Sequence, residues 1–414
     1  MKKVKLWQKV LVGMVLGVSC GLYLGEEAAF LKYFGEVFIN MIKMVVVPLI
    51  FFSILNGVTN LSDASTFSRI GSKALFAYAC TTVFAVMIGL ICANMFEPGI
   101  GLNIQLSAEP NQSPKQSLLE IAMNIIPKNP VEAMASGNTI QVVVFAFFTG
   151  LALILIGDRG REVKDFVVSA TALVFKMIEM VIQLTPYGVF ALMAWAVGVY
   201  GIDVMLSLGK FALVVIGALL LQYLVFGILI MVFARLNPLP FYKKMLTTQT
   251  LAFATVSSKA TLGTAISELR HKLGVSKQSA SFILPLGASM NMDGAAIYLG
   301  ICSVFFAQVI GMELSWYQYG VIIFTSTIGS IGAAGFPGGS MVMMGMVLSS
   351  VGLPLEGMSL ILGVDRFLEM LRTVINITGD CTVTLIVDKL EGTLDVHQYY
   401  AKVRPKDEEI NPMF

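Results

Sequence analysis

Apolar runs of about 20 residues recur along this chain, near 7–25, 34–58, 73–96, 137–157, 166–200 and 207–234. A helix of that length is about 30 Å long, the thickness of a bilayer's hydrocarbon core. Backbone in lipid must satisfy its own hydrogen bonds, and a helix does so within one segment. The chain is 56% hydrophobic and 13% charged, whereas a soluble domain carries about 25% charged residues. The expected fold is an all-α polytopic membrane protein with about eight transmembrane helices. The net charge of +2 is uninformative about nucleic acid, and no such partner is expected. Cys20, Cys80, Cys92, Cys302 and Cys381 stand singly in apolar runs, without metal-ligand spacing, and read as small core residues. The Met1-Lys2-Lys3-Val4-Lys5 start lacks a following cleavage pattern, so the first span is read as retained.

Basic residues set the orientation. Lys2, Lys3 and Lys5; Arg69 and Lys73; Arg159, Arg161 and Lys164; and Arg235, Lys243 and Lys244 mark alternate connections. The intervening ones (Glu26 and Glu27; residues 97–135; Asp203) are acidic or mixed. The positive-inside rule places the N-terminus in the cytoplasm and residues 97–135 in an outer loop. The tail, with Lys402, Arg404 and Lys406, is read as cytoplasmic too, in a plasma (cell inner) membrane.

The C-terminal half departs from simple spans. Thr255 to Thr261 interrupts one apolar segment over 246–270, and Gly329 to Ser340 interrupts another over 320–350. Gly and Pro break helices, and irregular backbone at membrane depth is tolerated only inside protein or beside a wet cavity. Both segments are expected as re-entrant hairpins, entering from opposite faces. Such inverted repeats place a binding site at the midplane.

Asp365, Glu369, Arg372, Asn376 and Asp380 recur at intervals of four and three. At about 100° per residue they fall within a wedge of roughly 80°. Charge inside an apolar helix faces a protein interior, a cavity or a solute pathway. This stripe suits an anionic or zwitterionic solute bound together with cations. Arg372 is read as the only Arg at mid-depth. Asp293, within Asn291-Met292-Asp293-Gly294, is an isolated carboxylate that needs a cation or a proton. Asn291, Asp293, Asn376 and Asp380 supply the oxygens that a hard cation such as Na⁺ prefers. Tyr78, Thr81 and Thr82 in span three have a plainer reading, as hydrogen bonds between helices. No His lies in an apolar span, since His271 and His397 have polar surroundings, and no metal-ligand His-Glu motif is present. An enzyme is not expected.

These motifs, with Ser257-Ser258, Gly335-Phe336-Pro337-Gly338 and Arg372-Thr373 through Asn376 to Gly379-Asp380, resemble the dicarboxylate/amino acid:cation symporters, the glutamate transporter homologues. Pro48-Leu49-Ile50-Phe51 and Pro186-Tyr187-Gly188-Val189-Phe190 extend the likeness over nearly the whole chain. The resemblance implies a homotrimer with an elevator mechanism and no cofactor beyond transported Na⁺. Residues 1–70 and 101–204 would hold the scaffold (spans one, two, four and five) with the outer loop. Residues 71–100 (span three) and 205–392 would form the transport domain, and 393–414 the tail.

By position, the resemblance assigns Arg372 to a substrate side-chain carboxylate and Glu369 to its ammonium. Asn376, Thr373, Ser257, Ser258, Ser340 and the Gly335-Phe336 segment would hold the α-carboxylate and close the site. It assigns Gly287, Asn291, Asn376 and Asp380 to one Na⁺. Tyr78, Thr81, Thr82, Asn291 and Asp293 match a second, and Ser289, Met292, Ser330, Ile331 and Ala333 a third. Several positions depart from the family pattern. Lys259 replaces a Ser, Gly263 a Pro, and Ala295, near the side-chain carboxylate, a Thr. Leu299 stands where K⁺-coupled members carry Glu, so no K⁺ counter-transport is implied. Lys259 either snorkels to the cytoplasmic face or pairs with Glu369 or substrate. The expected function is Na⁺-coupled uptake of glutamate or aspartate. A Na⁺- or H⁺-coupled carrier of a C4-dicarboxylate, a neutral amino acid or cystine is the alternative.

Overall fold

The structure, a computed structural model, describes residues 6–60, 68–101, 126–201, 203–332, 339–355 and 358–401. Every regular element among them is helical. Helices α1 (Leu6–Leu24) and α2 (Leu31–Asn60) are joined by a 3₁₀ turn, Gly25–Phe30, that carries the acidic pair Glu26 and Glu27. Next come α3 (Ser68–Phe96), the short α4 (Pro130–Ala135) and α5 (Thr139–Leu155). Asn129 caps α4 by accepting from the Val131 and Glu132 amides.

The fifth apolar run is two helices, α6 (Arg161–Gln183) and α7 (Thr185–Tyr200), with a 49° bend between them. The bend falls at Leu184, two residues ahead of Pro186. Proline suits the first turn of a new helix, where its missing N–H costs nothing, so the interruption precedes it. α8 (Asp203–Leu229) ends in a π turn, Ile230–Ala234, and a left-handed Arg235.

The remaining helices are α9 (Leu239–Lys244), α10 (Leu246–Thr255), α11 (Ser258–His271), α12 (Lys277–Met290) and α13 (Asp293–Val309). They are followed by α14 (Trp316–Gly332), α15 (Gly339–Ser350), α16 (Met358–Leu390) and α17 (Val396–Tyr400). Gln8–Phe38, Ile70–Phe96, Val204–Ala234, Lys277–Val309 and Val364–Leu390 are long and apolar enough to cross a bilayer, and the bent α6–α7 pair adds a sixth crossing. The chain is a multi-pass membrane protein.

Packing follows two sets of neighbours. α1 lies along α7, and α2 against α5, α6 and α7. α3 lies along α13, while α16 is enclosed by α8, α10, α12 and α13. Buried Val86, Leu90, Ile297, Ile301 and Phe305 fill the α3–α13 region, and the Phe211 and Phe305 rings approach to 4.8 Å. α16 is thus wrapped in protein along its length, which is what permits its charges.

Candidate functional site

Two chain breaks among the described residues meet α16, and a third lies outside them. The first separates α10 from α11. Val256 there has φ +55°, a left-handed conformation that a β-branched residue rarely adopts. Ser257 follows in extended backbone and caps α11 by accepting from the Ala260 amide. Farther along, Glu268 ties the two arms together. Its Oε2 accepts from the Thr248 amide (3.1 Å) and hydroxyl (2.6 Å), and its Oε1 pairs with Lys272 at 2.9 Å.

The second break was not legible in the sequence. Asn291 and Met292 are non-helical between α12 and α13, so Asp293 stands at the first position of a new helix. Its carboxylate therefore meets the positive end of a helix dipole. The third break lies between α14 and α15, and its residues 333–338 are outside those described. That segment includes the expected contributors Ala333, Gly335 and Phe336.

The polar stripe of α16 is buried throughout: Asp365, Glu369, Arg372, Asn376 and Asp380 all lie at 7% exposure or less. Arg372 Nη2 is 2.8 Å from Asp365 Oδ1, and its guanidinium carbon sits 3.7 Å from the centre of the Tyr298 ring. Nε and Nη1 of Arg372 are buried without a partner among the described residues. The sequence marks Arg372 as the only Arg at mid-depth, but it is not the only buried one. Arg366 is buried as well, and its Nη1 lies 2.5 Å from Glu369 Oε2. One helical step from Asp365 places Arg366 about 100° off the stripe, although its i,i+3 spacing to Glu369 is a readable signal. Glu369 thus has an ion-pair partner in Arg366, and Lys259 stands in the first turn of α11.

A small cavity opens against this stripe. Its walls include the expected Ser258, Ala295, Ser340, Glu369, Arg372, Thr373 and Asn376, joined by Val256 and Met292. Ser257 is a cap residue and does not line it. Gly294 explains how α13 and α16 come so close here. A Cβ at 294 would stand 2.5 Å from the Arg372 carbonyl oxygen. The Gly294 amide, freed by the chain break, donates to Asn376 Oδ1 at 2.8 Å.

A second polar cluster joins α3, the α12–α13 break and α16. Thr82 Oγ1 is 3.1 Å from both Asn291 Oδ1 and Asp293 Oδ1, and Thr81 Oγ1 is 3.4 Å from Asn291 Oδ1. Asn291 Nδ2 donates to Asp380 Oδ1 at 3.1 Å, and the Tyr78 hydroxyl to the Ile283 carbonyl at 3.1 Å. Gly287 lies against the Tyr78 hydroxyl, and a Cβ there would stand 2.7 Å from Asp380 Oδ1. Among the described residues, Asp293 and Asp380 each keep one buried oxygen without a hydrogen-bond donor, the condition in which a carboxylate accepts a cation or a proton. Of the remaining expected ligands, Ser289 and Ser330 bond within their own helices, to the Pro285 and Thr327 carbonyls. Met292 is buried, and the Ile331 side chain is outside those described.

A pocket between broken helices, in a bundle of membrane-spanning length, is the arrangement of secondary transporters. The chain belongs to the sodium:dicarboxylate symporter family, which it matches over residues 6–390. It is a transporter, not an enzyme. It is 30% identical to a proton/sodium-glutamate symport protein of Bacillus caldotenax, covering 98% of this chain and 99% of that one. It is 32% identical to the proton/sodium-glutamate symport protein of Bacillus subtilis (95% and 94% covered). It is 35% identical to a C4-dicarboxylate transport protein of Rhodospirillum rubrum (94% and 89% covered).

Proposed function

We propose that this protein couples Na⁺ entry to uptake of an acidic amino acid, glutamate or aspartate, with no resident cofactor. The observation that carries the reading is Arg372, a buried guanidinium held by Asp365 and Tyr298 with two unspent donors in a cavity wall. Such a group binds carboxylate by charge-assisted hydrogen bonds. Arg372 takes the side-chain carboxylate, beside Ala295. Ser258, Thr373, Asn376 and Ser340 surround the α-carboxylate, and Glu369 faces the ammonium. Na⁺ is cargo, held by Asp293 with Tyr78, Thr81, Thr82 and Asn291, and by Asp380 with Gly287, Asn291 and Asn376. The bare oxygens of Asp293 and Asp380 support this assignment. A third cation at Ser289, Met292, Ser330, Ile331 and Ala333 completes the reading.

In the elevator that this reading entails, α1, α2 and α5 to α7 form a trimer-forming scaffold. α3 and α8 to α16 form a moving body, with α10–α11 and α14–α15 as opposed re-entrant hairpins among about eight spans. The two sets of packing partners support the division. The alternation of basic and acidic connections supports a plasma-membrane orientation with both termini in the cytoplasm.

A C4-dicarboxylate is the second reading, and one observation favours it: Arg366 already neutralises Glu369. Counterflow in proteoliposomes against a panel of acids and amino acids tests both readings. Na⁺-dependent exchange of glutamate and aspartate is expected. Exchange of succinate alone would select the dicarboxylate, and exchange of neither would overturn the acidic-substrate reading.

A further inference from the structure

The four charges at the first turns of the α16 stripe form two crossed pairs, Asp365 with Arg372 and Arg366 with Glu369. The pairs are not equivalent with respect to the cavity. Arg372 and Glu369 line it, whereas Asp365 and Arg366 do not. Each wall residue is thus backed by a buried counter-charge. Arg372 keeps two unpartnered donors after pairing, so its backing leaves it able to bind an anion. Glu369 is gripped at 2.5 Å by Arg366 Nη1, and the two side chains are only 7% and 10% exposed.

We infer that Arg366 determines specificity by acting through Glu369. It occupies the carboxylate that a substrate ammonium must contact, and so handicaps amino-bearing ligands relative to amino-free dicarboxylates. The inference rests on the cavity being the substrate site. An ammonium arriving at Glu369 finds a charge already compensated, and must either displace a buried guanidinium from its only ion-pair partner among the described residues or share the carboxylate with it. In low dielectric either course is unfavourable, because a buried charge is stable only when paired. A dicarboxylate bound at Arg372 makes no such demand. Without Arg366, the Glu369 carboxylate loses its 2.5 Å partner and turns more of its charge to an ammonium.

Aspartate and succinate differ only by the amino group, so the ratio of their dissociation constants isolates this effect. The test uses full-length protein in nanodiscs at saturating Na⁺, titrated calorimetrically with each ligand. In Arg366→Met and Arg366→Gln the ratio shifts toward aspartate by at least about tenfold, roughly 1.4 kcal/mol. In Arg366→Lys, which restores the cation, it stays within about threefold of the parent. Glu369→Gln, with Arg366 intact, shifts it toward succinate and provides a reading should the Arg366 variants fail to assemble. An unchanged ratio with both ligands weakened equally assigns Arg366 a purely structural role and overturns the inference. So does a Lys variant that shifts as far as Met. If the unmodified protein binds neither ligand, the substrate-site reading falls, and the inference with it.

Discussion

Arg372 is fixed by an ion pair at one edge and an aromatic face beneath it, lines a cavity, and keeps two buried donors without a partner among the described residues. Removing one partner of a buried, charge-assisted contact costs about 2–5 kcal/mol. Arg372→Cys is therefore expected to weaken acidic ligands by a factor of about 30 or more and to admit neutral amino acids. Uptake of labelled glutamate, aspartate and succinate checks this, and unchanged uptake would remove Arg372 from the site. Gly294→Ala probes the close approach of α13 to α16. A methyl group 2.5 Å from the Arg372 carbonyl oxygen forces the helices apart, at a cost of about 1–3 kcal/mol. A lower unfolding temperature and weaker substrate binding are both expected in a thermal-shift and titration series. The stripe itself was legible in the sequence because side chains three and four apart share a helix face. Arg366 was not, because it starts about 100° off that face and its long side chain reaches around to Glu369.

Breaks decide where the elements place their side chains, and they were unequally legible. The interruption expected at 255–261 occurs at Val256 and Ser257, where small polar residues advertise it. The break at Asn291 and Met292 has no Gly or Pro at its two non-helical residues, so nothing local announces it. It persists because tertiary partners satisfy the freed groups, as Asn376 does for the Gly294 amide. The end of α16 shows the same logic at the expected cytoplasmic side. Buried Lys244 donates to the carbonyls of Lys272, Gln398 and Tyr399, at 2.7, 2.9 and 2.7 Å, and so clasps α17 to the end of α11. Lys244→Met leaves three carbonyls without this donor. A stability loss of about 1–3 kcal/mol is expected, with substrate affinity unchanged within about twofold. Thermal unfolding beside binding titrations checks both, and lost affinity at unchanged stability would contradict a purely structural role.

At the scale of the whole molecule, the apolar runs and basic connections made the membrane class legible, since lipid leaves the backbone few alternatives. The meeting of α3, α13 and α16 at one polar cluster was not legible from spacing alone. Contacts more than 200 residues apart in the chain, such as Thr82 with Asn291 and Asp293, depend on packing. That cluster adjoins the cavity through shared helices: Asn291 belongs to the break that orients Met292, and Asp380 follows Asn376 by one helical turn on α16. The proposed cation and solute sites share these elements, so coupling between them is expected, and linkage makes any such coupling reciprocal. The measurement that tests this most directly is a matrix of binding titrations, with aspartate titrated at several Na⁺ concentrations and Na⁺ at several aspartate concentrations. Na⁺ is predicted to tighten aspartate by the same factor by which aspartate tightens Na⁺, with the effect lost in Asp293→Asn and Asp380→Asn. An affinity indifferent to Na⁺ but steeply dependent on pH would contradict Na⁺ coupling and assign the two bare carboxylates to protons.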